Sequence, residues 1–562
     1  MPPSSNFFLE FLGLTRQFWN SKEKVKIRGA ALLFAILTML QMGMAILITQ
    51  WNAGLFDALE QHSMQGVIQQ SGLLVLLFCS GMLLTGLHLT VKRHLQINWR
   101  EWLTKHVASL WMRDGRHYLL DHLSGAHDNP DGRIAEDCRI ATESAVVLGH
   151  SLFYSILLLI GFTRVLWSHS GVVTLHLGTF SVPVHGHMVW VALFYAALAS
   201  WLGWRVSRPL IGATNNRQTA EANFRASLLE AQENSQTIAL IHAESCERHQ
   251  FREHFNNIRS IWNAQTRAWR HILMFGTGYS VLSMAFPILI SSPRYILGAI
   301  SLGVLMQSAQ AFQHMVSALS WPVNSAGAIA EWRASVERVL SLLRTLENLD
   351  KQLDQPSQLI QVQKGDGEAL IFRNLSLMKH DGTVLTNNIS MEINLGEHVL
   401  ISGNIFTGAK LFRAIAGIRP WGSGTIELPS HGRLFFMPPR PHLPVDTLRN
   451  TICYPVSRRV FSQGRIEDAM SLAGLAHLIA HLEQKTNWKN TLALGEQQRL
   501  GMVRLLINHP QWVFLDQAFD SMDNKDEAQM FNLICAQIPQ VTILAITHMP
   551  DSGGFFTRRL TL

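Results

Sequence analysis

Charge is sparse in this chain of 562 residues. Asp, Glu, Lys and Arg make up 15% of it, where a soluble chain carries about a quarter. Nearly half the residues are hydrophobic and mean hydropathy is positive, so a single soluble globule is excluded. Cysteine is scarce as well. Cys79, Cys138, Cys246, Cys453 and Cys535 are scattered, with no CxxC pair and no metal-ligand spacing. That excludes a disulfide framework or a cysteine-held metal, and predicts free thiols on a cytoplasm-facing protein. The opening MPPSSNFFLEFLGLTRQFW has no cationic n-region and no cleavage site, so a signal peptide is not expected. It reads instead as an amphipathic helix lying on the membrane surface. From Val165 to Trp204 there is no Lys, Arg, Asp or Glu at all.

What is present is long apolar runs, confined to the N-terminal part. Crossing about 30 Å of hydrocarbon takes about 20 apolar residues, and six stretches are long enough: 29–50, 71–91, 145–167, 187–204, 271–293 and 296–320. Lys22, Lys24, Lys26 and Arg28 precede the first, and Lys92, Arg93, Arg100 and Lys105 follow the second. Positive charge marks the cytoplasmic side, which places the uncharged 168–186 loop outside and both termini inside. It also accounts for the net charge of +7 without a nucleic-acid partner. The lipid bilayer is the expected partner. Between spans two and three, and again between four and five, polar stretches keep a helical period. In the second, Phe224, Leu228, Ile238 and Ile241 recur on one side. These excursions predict long helices that continue from the spans into the cytoplasm.

The pattern changes near residue 368. The transmembrane domain with its interfacial helix is expected over 1–349, a polar linker over 350–367, and a soluble α/β domain over 368–562. Its strand HVLIS feeds Gly403, with a helix expected from about Gly408, which is the strand–loop–helix setting of a P-loop. Further on, LALGEQQRL opens a helix that is followed by the apolar strand WVFLD, ending on Asp516.

This order of loop, helix, strand and acid resembles the nucleotide-binding domain of the ABC superfamily. The resemblance extends to most of the chain. WNAGLFDAL, NWREWLT, NPDGRIAED, EANFRASL, IALIHAE, GIRPWGSGTI, PPRPHLPVDTLRNTICYP and LALGEQQRL are similar to segments of one branch. That branch contains YddA-like proteins, the SbmA/BacA peptide importers and the peroxisomal fatty-acyl transporters. The resemblance implies six transmembrane helices in an ABC exporter-type fold, fused to a RecA-like domain that binds ATP and Mg²⁺. A dimer is implied too, because one chain supplies half of a translocation pathway. A homodimer is expected; a heterodimer with an intact paralogue is the alternative.

Set against the G-x-x-x-x-G-K-[ST] pattern, Gly403, Thr407 and Gly408 are in place, but Ala409 replaces the lysine and Lys410 the hydroxyl residue. Phe406 stands where the family has a glycine. One residue of helix is about 100° of rotation, so Lys410 leaves in another direction than the missing lysine. Its ammonium at the Mg²⁺ position is the sharper alternative. Asp516 matches the carboxylate that holds Mg²⁺, and Gln517 replaces the catalytic glutamate. Pro439 replaces the Q-loop glutamine and Ala493 the signature serine. Gly495, Asp523 and His548 match the signature glycine, the D-loop aspartate and the switch histidine. Together the replacements predict a degenerate site with weak or absent hydrolysis.

Ionisable residues in or beside the spans are functional candidates by default. These are His88, His150, Arg164 and His314, with Glu136, Asp137 and Glu143 at the inner mouth of span three. A helix–helix hydrogen bond competes with a proton relay for each histidine, snorkelling with function for Arg164, and a solvated surface with proton or peptide binding for the acids. Glu221, Arg225 and Glu230 are expected to pair along a helix. The leading expectation is a bacterial inner-membrane transporter of a peptide-like or amphipathic substrate. The alternatives are a proton-driven secondary transporter that uses its soluble domain as a dimerisation clamp, and a non-transporting receptor or scaffold.

Overall fold

The computed structural model describes residues 7–21, 23–121, 129–177, 180–353, 359–379, 382–418, 421–456, 460–547 and 555–562. Two compact units emerge, one from residues 1–107 and 129–342, the other from 108–128 and 343–562.

The first unit is helical apart from one antiparallel hairpin, β1 (Val172–Leu177) with β2 (Phe180–His185). Helix α1 (Phe7–Trp19) is followed by α2 (Lys24–Glu60) and α3 (Met64–Met112), the last running on into the second unit as far as α4 (Arg116–Asp121). Then come α5 (Cys138–Ser170), α6 (His187–Glu233), α7 (Glu244–Ile296), α8 (Leu302–Leu319) and α9 (Ala326–Leu353). Five of these, α2, α3, α5, α6 and α7, are long and apolar enough to cross a membrane. The first five expected spans fall on them, and the helices overrun the spans into the polar stretches, as the polar periodicity predicts.

The sixth expected span, 296–320, holds α8. The observed helix α8 is shorter and carries Gln307, Gln310, Gln313 and His314, so it is not among the five. The reason lies in its surroundings. Leu305, Gln307, Ser308, Phe312, Met315 and Val316 are all buried, against α2, α5, α6 and α7. A helix enclosed by protein need not be apolar all round. Its first turn is held by three side chains: Ser301 Oγ accepts from Val304 N at 3.3 Å, Asp57 Oδ1 from Gly303 N at 2.8 Å, and Glu60 Oε2 from Leu302 N at 2.9 Å. Carboxylates suit the positive end of a helix, which gives WNAGLFDAL a structural role. Gly303 must lack a side chain, since a Cβ there would lie 2.3 Å from the Ala53 carbonyl oxygen.

The N-terminal helix exists but does more than float on a surface. Leu14, Thr15 and Phe18 are buried, Phe18 stacks on Trp99 with 5.5 Å between centroids, and Phe11 meets Trp332 edge-on at 5.0 Å. Phe8, Leu9 and Leu12 are left exposed on the other side. In the second cytoplasmic excursion Phe224 packs on Phe251 and Phe255, whereas Leu228 and Ile241 are exposed. The apolar stripe expected there is therefore only partly a buried face.

Among the described residues the second unit holds two main sheets, besides a two-residue ladder of Asp446–Thr447 with Lys485–Thr486. The smaller, in the order β3 (Gln361–Lys364), β7 (Gly422–Leu428), β4 (Leu370–Met378), β5 (Val384–Ile393), is antiparallel but for its β3–β7 edge. The larger is fully parallel, in the order β11 (Arg558–Thr561), β6 (His398–Ser402), β10 (Thr542–Ile546), β9 (Trp512–Asp516), β8 (Leu434–Met437). Its central strands, HVLIS, WVFLD and TILAI, read as continuous apolar runs because both faces are covered. One side carries α10 (Ile405–Ile415) in a core that includes Phe372, Phe412 and Phe514. Another core gathers α11 (Leu448–Cys453), α12 (Gln463–Leu472), α13 (Leu494–Asn508) and α14 (Asn524–Gln537). A polytopic helical membrane unit fused to an α/β unit is the expected fold class. Residues 108–128 belong to this α/β unit, which a break at 350–367 alone does not anticipate. Of that stretch, 350–353 are still helical and 361–364 form β3.

Candidate functional site

Ligands of parallel α/β sheets sit beyond the carboxyl ends of the strands, and here the ends of β6, β8, β9 and β10 bring the candidate residues together. Ser402 ends β6 and leads into Gly403, whose φ is +97°. A Cβ on Gly403 would come 2.2 Å from the Leu562 carbonyl oxygen, so only glycine fits. The helix does not wait for Gly408. It begins at Ile405 because Asn404 caps it: Asn404 Oδ1 accepts from Phe406 N at 3.0 Å and Thr407 N at 3.4 Å. The Asn404 carbonyl oxygen accepts from Thr407 N at 2.9 Å and Gly408 N at 3.1 Å. Asparagine is among the best N-caps, and this one converts the expected phosphate loop into a first helical turn. Thr407 is buried, and Gly408 packs against the sheet, where a Cβ would lie 2.9 Å from Ile546 Cδ1.

Beside α10 lies a cavity of about 520 Å³. Ile405, Phe406, Ala409, Phe412 and Ala416 line it from the helix, and Phe436, Met437, Pro438, Pro439 and Phe514 from the strand ends. Phe436 and Phe514 stack with 4.5 Å between centroids, and Phe412 meets Phe514 edge-on at 5.5 Å. Three polar residues share the wall: Arg413, Asp516 and Gln517. Lys410 is not among the lining residues. The cation whose field reaches Asp516 is Arg413, one turn beyond Ala409 on the same helical face. Burial pushes the Asp516 carboxyl above its ordinary range, and Arg413 opposes that shift. Gln517 holds φ at +48°, with its N–H donating to the Ile546 carbonyl oxygen at 2.9 Å.

The signature side is organised otherwise. Ala493 is the N-cap of α13, and its N–H donates to Glu496 Oε2 at 3.0 Å. That is half of a capping box; the other half needs a side-chain oxygen that alanine lacks. Gly495 faces Ser521 without crowding. Asp523 caps α14, accepting from Asp526 N at 2.7 Å, and Arg499 reaches Asp526 at 2.7 Å. Thr547, which follows β10, donates to buried Glu527 at 2.5 Å. His548 lies outside the described residues.

Gln498 is the residue that linear reading missed. Fully buried, it donates through Nε2 to the Pro439 carbonyl oxygen at 3.0 Å and to Asp520 Oδ1, and its Oε1 accepts from Ser521 N and Oγ. It thus ties α13 to the Pro439 segment and to the turn after β9. Arg504 likewise donates to the carbonyl oxygens of Thr451 and His442, and burial lowers its pKa to about 10. The only sequence signal for either was a polar residue on the face of α13 that its apolar residues bury.

In the membrane unit, His88 and His150 come together. Their rings are 4.6 Å apart, with Phe34 stacked on His88 at 4.8 Å and Thr38 Oγ1 3.4 Å from His88 Nε2. His150 Nε2 is buried without a hydrogen-bond partner, and Tyr154 lies a turn on, at 6.1 Å. Tyr154 also lines a cavity of about 770 Å³ between α2, α3 and α5. His314 stacks on Phe162 at 4.4 Å, apart from this pair. Arg164 is exposed on α5. The three acids are each met by arginine: Asp137 by Arg338 at 2.8 Å, Glu136 by Arg139 at 3.1 Å, and Glu143 by Arg100 and Arg139, both at 3.5 Å. Glu221 faces Arg217 at 3.8 Å rather than Arg225.

Comparison with known proteins bears on both units. The profile of the family described as ABC transporter transmembrane region 2 matches residues 15–296. An uncharacterized ABC transporter ATP-binding protein of Haemophilus influenzae is 27% identical, covering 97% of this chain and 92% of its own. The inner membrane ABC transporter ATP-binding protein YddA of Escherichia coli is 26% identical, over 96% and 95%. The human lysosomal cobalamin transporter ABCD4 is 24% identical, over 99% and 94%.

Proposed function

Because the chain belongs to the ABC transporter transmembrane region 2 family, we propose that it is a transporter of peptide-like or amphipathic substrates whose nucleotide site hydrolyses ATP weakly or not at all. That it is a multi-pass membrane protein of ABC type follows from the family and from relatives aligned along nearly its whole length. By analogy with YddA it resides in a bacterial inner membrane. It acts as a homodimer with both termini cytoplasmic.

The observation that carries the reading is the first turn of α10. A triphosphate would need the amides of Phe406 and Thr407, which Asn404 already engages, and a lysine where Ala409 stands. Family members bind ATP and Mg²⁺, but the residues present do not fit that group well. Asp516 is the one metal-type oxygen ligand at the cavity, and Gln517 cannot accept a proton from water. Losing a general base costs roughly 10²–10⁴ in rate. The test is ATP hydrolysis by the purified protein beside an Ala409→Lys, Gln517→Glu double variant. Turnover near background is expected in both, because Asn404 still holds the amides. Turnover well above background in the unaltered protein would sink the proposal.

A second reading, transport driven by a proton gradient, is favoured by the buried His88–His150 pair next to the Tyr154 cavity. An ionisable pair inside a bilayer is costly and points to function. Peptide uptake into proteoliposomes that collapses with a protonophore and ignores internal ATP would favour it. Uptake that follows ATP would exclude it.

A further inference from the structure

The cavity beside α10 is not an empty phosphate site. Its walls are aromatic and aliphatic, and the half-buried ring of Phe436 on one side is backed by the buried rings of Phe514 and Phe412. Its volume, about 520 Å³, lies in the range of small-molecule pockets, roughly 300–1,000 Å³. At its lip Phe406 is 78% exposed, an aromatic ring left in water at the entrance.

The polar residues narrow the ligand further. Arg413 and Asp516 carry opposite charges, so the wall has no net field with which to hold a multiply charged anion. The Arg413 guanidinium also lies over the Tyr118 ring, 5.9 Å from its centroid. Among the described residues no hydrogen bond reaches the Asp516 carboxylate, which leaves it ready to accept a donor. Gln517 beside it can give or accept a hydrogen bond.

We propose that this cavity binds a small, uncharged aromatic molecule, its ring against Phe406 and Phe436 and an N–H or O–H donor on Asp516. The assignment rests on the reading that a triphosphate no longer uses these walls. It adds a ligand class: the site has changed from polyanion binding to neutral aromatic binding, with Ala409 opening the space a lysine would fill.

The test uses the full chain in lipid nanodiscs and N-acetyltryptophanamide, an uncharged aromatic amide, as the probe. Saturation transfer from protein to probe is measured by NMR against empty discs. Transfer is expected for the unaltered protein. It should vanish in Ala409→Trp, which fills the cavity, and the probe should bind at least tenfold more weakly to Asp516→Leu. Thermal unfolding of both variants confirms that they are folded. No transfer above empty discs, or equal transfer in both folded variants, overturns the proposal. MgATP is added in a final arm. If it displaces the probe, the lost-nucleotide reading fails while the aromatic site stands; if transfer persists, both are supported.

Discussion

Two helices of the same domain, α10 after one parallel strand and α13 before another, have gone separate ways. At α13 nearly every polar side chain of GEQQR is engaged: Glu496 with the Ala493 amide, Gln497 with the carbonyl oxygens of Lys489 and Leu492, Gln498 with Pro439, Asp520 and Ser521, Arg499 with Asp526. At α10 Ala409 and Lys410 stand where the G-x-x-x-x-G-K-[ST] pattern has lysine and a hydroxyl residue, and an apolar cavity lies beside them. The difference separates two kinds of constraint. The polar groups of α13 are buried and joined to one another, so losing one strands the rest. A lysine and a hydroxyl at those places of α10 would have a ligand as partner, and the helix forms without them. Motif residues persist where the fold itself uses them.

The sharpest way to break this comparison is Gln498→Ala. It would leave the Pro439 carbonyl, Asp520 and the Ser521 amide without their buried partner, at a cost of about 3 kcal/mol. Thermal unfolding should show a fall of several degrees. A variant within a degree of the parent would mean that α13 is as dispensable as the phosphate loop.

Asn404 tests the other side. Asn404→Ala removes the cap of α10 and should cost about 1 kcal/mol, while Asn404→Gly should cost only a few tenths. The glycine variant is the informative one, since it frees the Phe406 and Thr407 amides without unfolding the turn. Added to Ala409→Lys and Gln517→Glu, it should raise binding of trinitrophenyl-ATP above that of the double variant, read by fluorescence. Equal binding with and without it would show that Asn404 does not block the site.

How much of this was legible beforehand divides along the same line. The parallel sheet, the apolar helices and the lineage could be read, because continuous apolar strands, long uncharged runs and LALGEQQRL are local patterns. The early start of α10 was not, although Asn404 was in view. Expecting a loop from the glycine spacing hid an N-cap that needs only one side chain. The sixth span was drawn too long because periodicity cannot tell a lipid-facing helix from one enclosed by its neighbours. Gln498 and the His88–His150 pair were hidden for a third reason. Their partners are 22 to 62 residues away, and no linear pattern joins them.

Asp516 offers a smaller effect with a definite sign. Burial raises its folded pKa above the unfolded value, so the native state holds this proton more tightly than the unfolded chain does. The ionised carboxylate therefore weighs against folding at neutral pH, and the penalty disappears below the unfolded value of about 3.9. Asp516→Asn should be more stable than the parent at pH 7, with the gain shrinking as pH falls towards 4. Unfolding temperatures of both proteins across that range check it. A gain independent of pH would assign the effect to something other than the carboxylate.

Ala493 offers the most direct measure of what α13 has kept. Ala493 already has N-cap geometry, with φ −63° and ψ 155°, and Glu496 already returns its half of the capping box. Ala493→Ser would supply the missing acceptor for an amide of the first turn and should stabilise the protein by about 1 kcal/mol. The same serine is the one the signature motif calls for, so nucleotide affinity can be measured on the same sample. Stabilisation with no gain in nucleotide binding would show that the helix end retains the shape of the motif while its ligand contact, which needs the opposing phosphate loop, is gone. A gain in nucleotide binding would instead place the defect in Ala493 and clear α10 of it.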